Sequence, residues 1–229
     1  MKRIFPLILI PIFLASCQSL PVINAPAPSA DGKISACPSP FLKERYRLIH
    51  AIEIRTAGDT RGAIIGVTLA DPATRLISCA IMTAEGIVLF DAEEDAGLLK
   101  VNRALPPFDS ADFAQNMIDD IKLIFFAPAG KIEQKGNLPG GAVICRWHEK
   151  NGGWIDVLSN QPKGIEIKRY SSCGSLKRHV KFEKTGKNIY QNIELQANEL
   201  YSYSLLMTLI ESQPAKEELH INKAKEKKK

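Results

Sequence analysis

The sequence has none of the short signatures that mark the commonest catalytic centres. HExxH, GxSxG, the phosphate-cradling GxxxxGK[ST] and the EF-hand loop are all missing. Zinc hydrolysis, serine acyl transfer, nucleotide chemistry and calcium sensing by those routes are therefore set aside, and an enzyme is not expected. None of the five cysteines stands in a CxxC pair. The four histidines, His50, His148, His179 and His220, are scattered along charged strand edges or the tail. No metal ligand set results, and no cofactor is expected. Lysines form no stripe interleaved with aromatics, which make up only 7% of the chain, so nucleic acid is not an expected partner. Long apolar runs are also lacking. The apolar stretch 4–17 is interrupted by Pro6 and Pro11 and falls short of the roughly 20 residues that a bilayer-crossing helix needs.

That short stretch is informative in another way. Lys2 and Arg3 precede it and small residues close it, the layout of a secretory signal peptide over 1–16. Leu14, Ala15, Ser16 and Cys17 resemble the lipobox of bacterial lipoproteins, in which the peptidase cuts before the cysteine. The resemblance implies an S-diacylglyceryl group on the Cys17 thiol and an N-acyl chain such as palmitate on its amine, anchoring the chain in a lipid bilayer. Two or more acyl chains hold a protein stably where one does so only marginally. Gln18 stands where an aspartate would resemble an inner-membrane retention signal, which implies the outer membrane of a diderm bacterium, facing the periplasm. Removal of 1–16 takes away Lys2 and Arg3 and lowers the formal charge from +5 to +3.

The rest divides by composition. Pro21, Pro26, Pro28, Pro38 and Pro40 among small residues make 17–40 an expected extended tether. The terminal 213–229 is nearly all charge and is expected to be a solvated tail. Between them, 41–212 is long enough for one domain with a sizeable core. Cys37, Cys79, Cys145 and Cys173 remain after the anchor, and the oxidising periplasm permits a disulfide. Cys145 with Cys173, or Cys37 with either, are open pairings, while Cys79 in its apolar run reads as a buried small residue.

The domain reads mainly as strands. Short runs rich in β-branched residues occupy 47–56, 61–70, 75–82, 86–93 and 98–103, and a second set occupies 141–149, 153–159, 164–170, 176–183, 189–196 and 201–210. Turn residues separate them, with hairpins closing at Asn151-Gly152-Gly153 and Thr185-Gly186-Lys187. Gly136 to Gly141 reads as a flexible turn, Glu93, Glu94 and Asp95 as a hairpin tip facing water, and Trp147 with Trp154 as a cross-strand pair. One helix divides the two sets. Pro106-Pro107 precede it, Asp109 or Ser110 can cap it, and Phe113, Met117, Ile121 and Ile124 give it an apolar stripe that Asp119, Asp120 and Lys122 avoid. Run 61–70 is apolar on both faces, as is 201–210. A solid sandwich core and a curved sheet with a ligand-holding concave face both fit.

The segments 66–91, 105–128 and 189–212 resemble in pattern a family of bacterial lipoproteins similar to the lipoprotein-sorting proteins LolA and LolB. The shared pattern is strand, DP turn, strand, glycine and LFD, followed by a helix. It implies an α+β, mainly β fold: a curved antiparallel sheet or incomplete barrel of about eleven strands, with one or two helices closing a cavity for acyl chains. Helix 110–126 would be one lid element. Candidate cavity residues are Ile65, Val67, Leu69, Ile77, Ile81, Leu89, Phe113, Met117, Ile121, Leu205, Met207 and Leu209. The implied partners are an acyl-chain ligand or a lipoprotein, and a periplasmic carrier protein. LolB-like receptors expose a leucine on a protruding hairpin loop, whereas the loops 71–74 and 83–86 contain none. The alternative function is a structural or assembly lipoprotein whose solid β core presents a surface to a protein partner.

Overall fold

The computed structural model describes residues 19–25, 36–160, 164–183, 189–199 and 202–215. Cys17, Gln18, the expected Thr185-Gly186-Lys187 hairpin and residues 216–229 of the expected 213–229 tail lie outside them, while Gln213 and Pro214 of that tail belong to the last strand. The described chain forms one antiparallel sheet of twelve strands and one helix. The first five strands are β1 (Tyr46–Thr56), β2 (Asp59–Asp71), β3 (Leu76–Met82), β4 (Val88–Asp95) and β5 (Leu98–Ala104). The helix α1 (Ala111–Phe125) follows. Then come β6 (Ile132–Asn137), β7 (Val143–His148), β8 (Trp154–Asn160), β9 (Gly164–Tyr170), β10 (Leu176–Glu183), β11 (Asn192–Ala197) and β12 (Tyr203–Pro214). Eleven of these strands coincide with the apolar runs of the sequence. The twelfth, β6, was not expected: its IEQKGN has no apolar alternation because it is an edge strand.

The order across the sheet is β5-β4-β3-β2-β1-β12-β11-β10-β9-β8-β7-β6. Each half is a meander closed by local turns. At the β4–β5 turn Ala96 and Gly97 both take positive φ (49° and 83°), the backbone of a tight hairpin. Pairing of β1 with β12 joins the halves and brings the first strand of the domain against the last.

The helix lies inside the curve of this sheet. Ser110 Oγ accepts from Phe113 N–H at 3.1 Å and starts it. Phe126 is extended, and Pro128 follows. Two ion pairs grip it from opposite sides. Lys122 Nζ lies 2.6 and 2.7 Å from the two Glu94 oxygens of β4, and Arg178 Nε of β10 donates to Asp120 at 2.8 Å. In a flat sheet β4 and β10 would be six interstrand steps apart, about 29 Å. Two helical residues separated by a rise of about 3 Å cannot reach both strands unless the sheet curls around the helix.

That curl corrects two expectations. The fully buried stripe runs along Ala114, Ile118 and Phe125, while Phe113, Met117 and Ile121 are half-buried. Asp120 is buried, not solvent-facing, and so is Glu94, whose neighbours Glu93 and Asp95 are exposed. Under the helix, Leu48, Ile77, Phe90, Ile118 and Ile124 are 2% exposed or less, so this half of the concave face is packed solid.

The segment before β1 is a strap. Cys37 is bonded to Cys145 of β7, which resolves the open pairings. Phe41 enters the core, and Leu42 N–H donates to Phe125 O at 3.0 Å. Of the remaining thiols, Cys79 is buried and Cys173 exposed. Burial pushes the Cys79 thiol up to about 12, which makes it inert.

Part of the expected tether is also docked. Asn24 and Asn137 exchange backbone hydrogen bonds of 2.9 and 3.0 Å, and Arg146 donates to Pro21 O at 3.1 Å. Gly136 belongs to this contact and not to a flexible turn, because a Cβ there would run into the Asn24 carbonyl oxygen.

His50 departs most from the surface position expected of it. It is 1% exposed on the helix-facing side of β1, 6.0 Å from the Phe125 ring, and its Nε2 has no hydrogen-bond partner. Burial lowers its pKa from 6.5 to about 4. The folded state therefore favours the neutral ring, and stability present above pH 6.5 is lost as pH falls toward 4. The difference corresponds to about 3 kcal/mol. Chemical denaturation between pH 7 and 4 is expected to show this loss in the wild type and its absence in His50→Leu.

Candidate functional site

On the other flank of the helix the sheet stands clear and leaves a groove. Its walls are α1 and the chain just after it on one side, and β7 to β10 with their turns on the other. One section, of about 390 Å³, is walled by Leu123, Phe126, Pro128, Trp147 and Ile155. The next, of about 340 Å³, is walled by Asn116, Tyr170, Ser171, Ser172, Lys177, Arg178 and Glu199. Asp119, Glu149, Asn151 and Arg169 border both sections. Each volume falls within the range of about 300–1,000 Å³ typical of small-molecule sites.

The local sequence explains this division. Along β7 and β8, Trp147 and Ile155 are directly opposed and face inward. Trp154 pairs with His148 instead, one residue along and on the opposite face, with rings 4.5 Å apart. The expected Trp147–Trp154 pair thus differs by one register step. Toward the far ends of β9 and β10 the inward positions change from Ile167 and Val180 to Arg169 and Arg178. Arg169 Nε donates to Glu149 at 2.9 Å, and Arg178 bonds Asp120 and Glu199 at 2.8 and 3.1 Å. Tyr203 OH also donates to Asp120, at 3.3 Å. Burial pushes the Asp120 carboxyl up, against Arg178 and Tyr203, which hold it down. The Tyr203 hydroxyl is pushed up to about 12, first by burial and then by Asp120.

None of the twelve cavity candidates lines either section. Ile65, Val67 and Leu69 point away from the helix, because the alternate residues Gly66, Thr68 and Ala70 are the buried ones. Ile77 and Ile81 are sealed in the core, and Leu89 is half-buried at the β3–β4 bulge. Phe113 packs edge-on to Phe90 at 5.4 Å. Met117 and Ile121 on the helix, and Leu205, Met207 and Leu209 on β12, lie on the concave side away from the groove. The groove residues that were missed, Leu123, Phe126, Trp147 and Ile155, had one legible signal: two inward apolar positions flanking the Asn151-Gly152-Gly153 turn. Leu98, at the β4–β5 turn, is 79% exposed, the highest value among the described large apolar side chains.

An open, curved antiparallel sheet wrapped on a helix is a LolA-like fold. The chain is similar to the crystal structure of a LolA superfamily protein from Nitrosomonas europaea, with a TM-score of 0.51 and 11% identity over 77% of this chain and 88% of that one. A structure described as an outer membrane lipoprotein-sorting protein domain from Vibrio parahaemolyticus matches with a TM-score of 0.44 and 11% identity, over 79% and 90% of the two chains. No protein-family model and no curated protein matches the sequence.

The grip on the helix is testable at Asp120. Asp120→Asn keeps the shape but leaves the buried Arg178 guanidinium with only the half-exposed Glu199 as counter-charge. A loss of about 1.5–3 kcal/mol in denaturant unfolding is expected, with much smaller loss when Arg178→Met accompanies Asp120→Leu.

Proposed function

We propose that the chain is a lipoprotein of the outer membrane, anchored through Cys17 and facing the periplasm, that binds acyl chains of lipids or lipoproteins and does not catalyse a reaction. The observation that supports this best is the groove, an apolar slot beside α1 in a fold similar to that of a LolA superfamily protein. Burying a chain against Leu123, Phe126, Trp147 and Ile155 yields about 25 cal/mol per Å² of apolar surface removed from water. The exposed Leu98 would serve contact with the membrane or with a carrier protein that delivers the cargo.

The packing under the helix favours a second reading, a structural or assembly lipoprotein. Half of the concave face is filled by its own side chains, as a solid domain core would be.

Native mass spectrometry of the purified protein separates the two, since a carrier retains acyl species and a solid domain retains none. Ala127 is exposed and lines the slot, so Ala127→Trp fills it without disturbing the core. The variant is expected to melt as the wild type does and to bind a fluorescent fatty acid about tenfold more weakly, a change of about 1.4 kcal/mol. Cys17→Ala is expected to move the protein from the outer-membrane fraction to the soluble periplasm.

A further inference from the structure

Charge around the groove is not evenly committed. Every carboxylate bordering it has a cationic partner: Asp119 lies 3.6 Å from Lys122, Glu149 2.9 Å from Arg169, and Glu199 3.1 Å from Arg178. Three bordering cations, Arg75, Lys150 and Lys177, have no carboxylate partner among the described residues. The partnerless side chains around the groove are therefore all cationic. Because Lys122 is shared by Asp119 and Glu94, and Arg178 by Glu199 and Asp120, the six bordering cations against five carboxylates leave a balance of one positive charge. The placement of the partnerless cations is specific. Arg75 is an exposed side chain whose guanidinium lies 5.3 Å from the centre of the Phe126 ring, an apolar wall of the slot. Lys150 is at the β7–β8 turn on the same section, and Lys177 borders the polar section.

We infer that the groove takes an anionic single-chain amphiphile, with its hydrocarbon against Phe126 and Trp147 and its oxyanion drawn by the separate cations of the rim, Arg75, Lys150 and Lys177. This rests on the acyl-binding reading and adds the sign of the head group to it. A neutral head would leave the three cations as it found them, and a cationic head would be repelled. The oxyanion is a carboxylate or a phosphate, since a rim of separate cations attracts either.

Titration of the full chain, followed by tryptophan fluorescence, tests this with four amphiphiles of matched chain length: a fatty acid, a lysophosphatidylglycerol, a lysophosphatidylcholine and an alkyl maltoside. The fatty acid and the lysophosphatidylglycerol are expected to bind about tenfold more tightly than the alkyl maltoside at low salt, the scale of a few exposed ion pairs together. The preference is expected to shrink in high salt, where exposed charges are screened. The two anions distinguish a carboxylate from a phosphate head. In the triple variant Arg75→Gln, Lys150→Gln and Lys177→Gln the ratio is expected to fall to about one, with circular dichroism showing that the fold is retained. If each single substitution also lowers the ratio, the charge acts from all three positions even should the triple variant fail to fold. Equal binding of anionic and neutral amphiphiles by the wild type would overturn the inference and leave the acyl groove standing. Absence of binding for all four would overturn the acyl-binding reading itself.

Discussion

The structure depends on a helix held inside a curled sheet. Hydrophobic burial supplies most of the force, through Ile118, Ile124 and Phe125 against Leu48, Ile77 and Phe90. Burial of the Ala114, Ile118 and Phe125 stripe fixes which face of the helix meets the sheet. The two ion pairs lock that rotation, because Asp120 and Lys122 point to opposite flanks and each meets one charge on the sheet, Arg178 on β10 and Glu94 on β4. Such pairs add little net stability when both charges must be desolvated, but a rotated helix would leave those charges buried and unpaired. Their contribution is to orientation.

From that grip follows the asymmetry of the concave face. On the β1 to β4 side the helix sits down on the sheet and excludes space. On the β7 to β10 side the sheet curves away under long polar side chains, and the groove remains. The Cys37–Cys145 bond and the Leu42–Phe125 hydrogen bond add a strap over the same face, tying β7 to the chain that enters β1. On the opposite face, the Pro21 to Asn24 stretch helps bury the bidentate Arg146–Asp156 pair, with Arg146 5% and Asp156 0% exposed at the side chain. The two ends of the strand order are therefore treated differently: β6 is partly covered by this stretch, while β5 presents the exposed Leu98 and Val101.

Much of the fold was legible in the sequence, and for local reasons. Strand period, turn residues and the Ser110 cap act over a few residues, so the strand runs, the helix and the two-set meander could be read directly. Strand β6 was not, since an edge strand has no second neighbour to demand apolar alternation. The candidate site was barely legible. Ile65, Val67 and Leu69 looked as suitable for a cavity as any residue in β2, yet one register step places them on the outside.

The sequence by itself determined a β-rich domain with one amphipathic helix, a short apolar run closing on Leu-Ala-Ser-Cys, and too few clustered polar groups for a recognisable catalytic motif. Tertiary structure alone decided which face of each strand is inside, which cysteine Cys37 meets, and that a groove lies beside Trp147. Periodicity states that a strand has two different faces, or two similar ones, but never which face meets the helix. That choice is made by the curl of the whole sheet, through contacts between residues as far apart as Asp120 and Arg178.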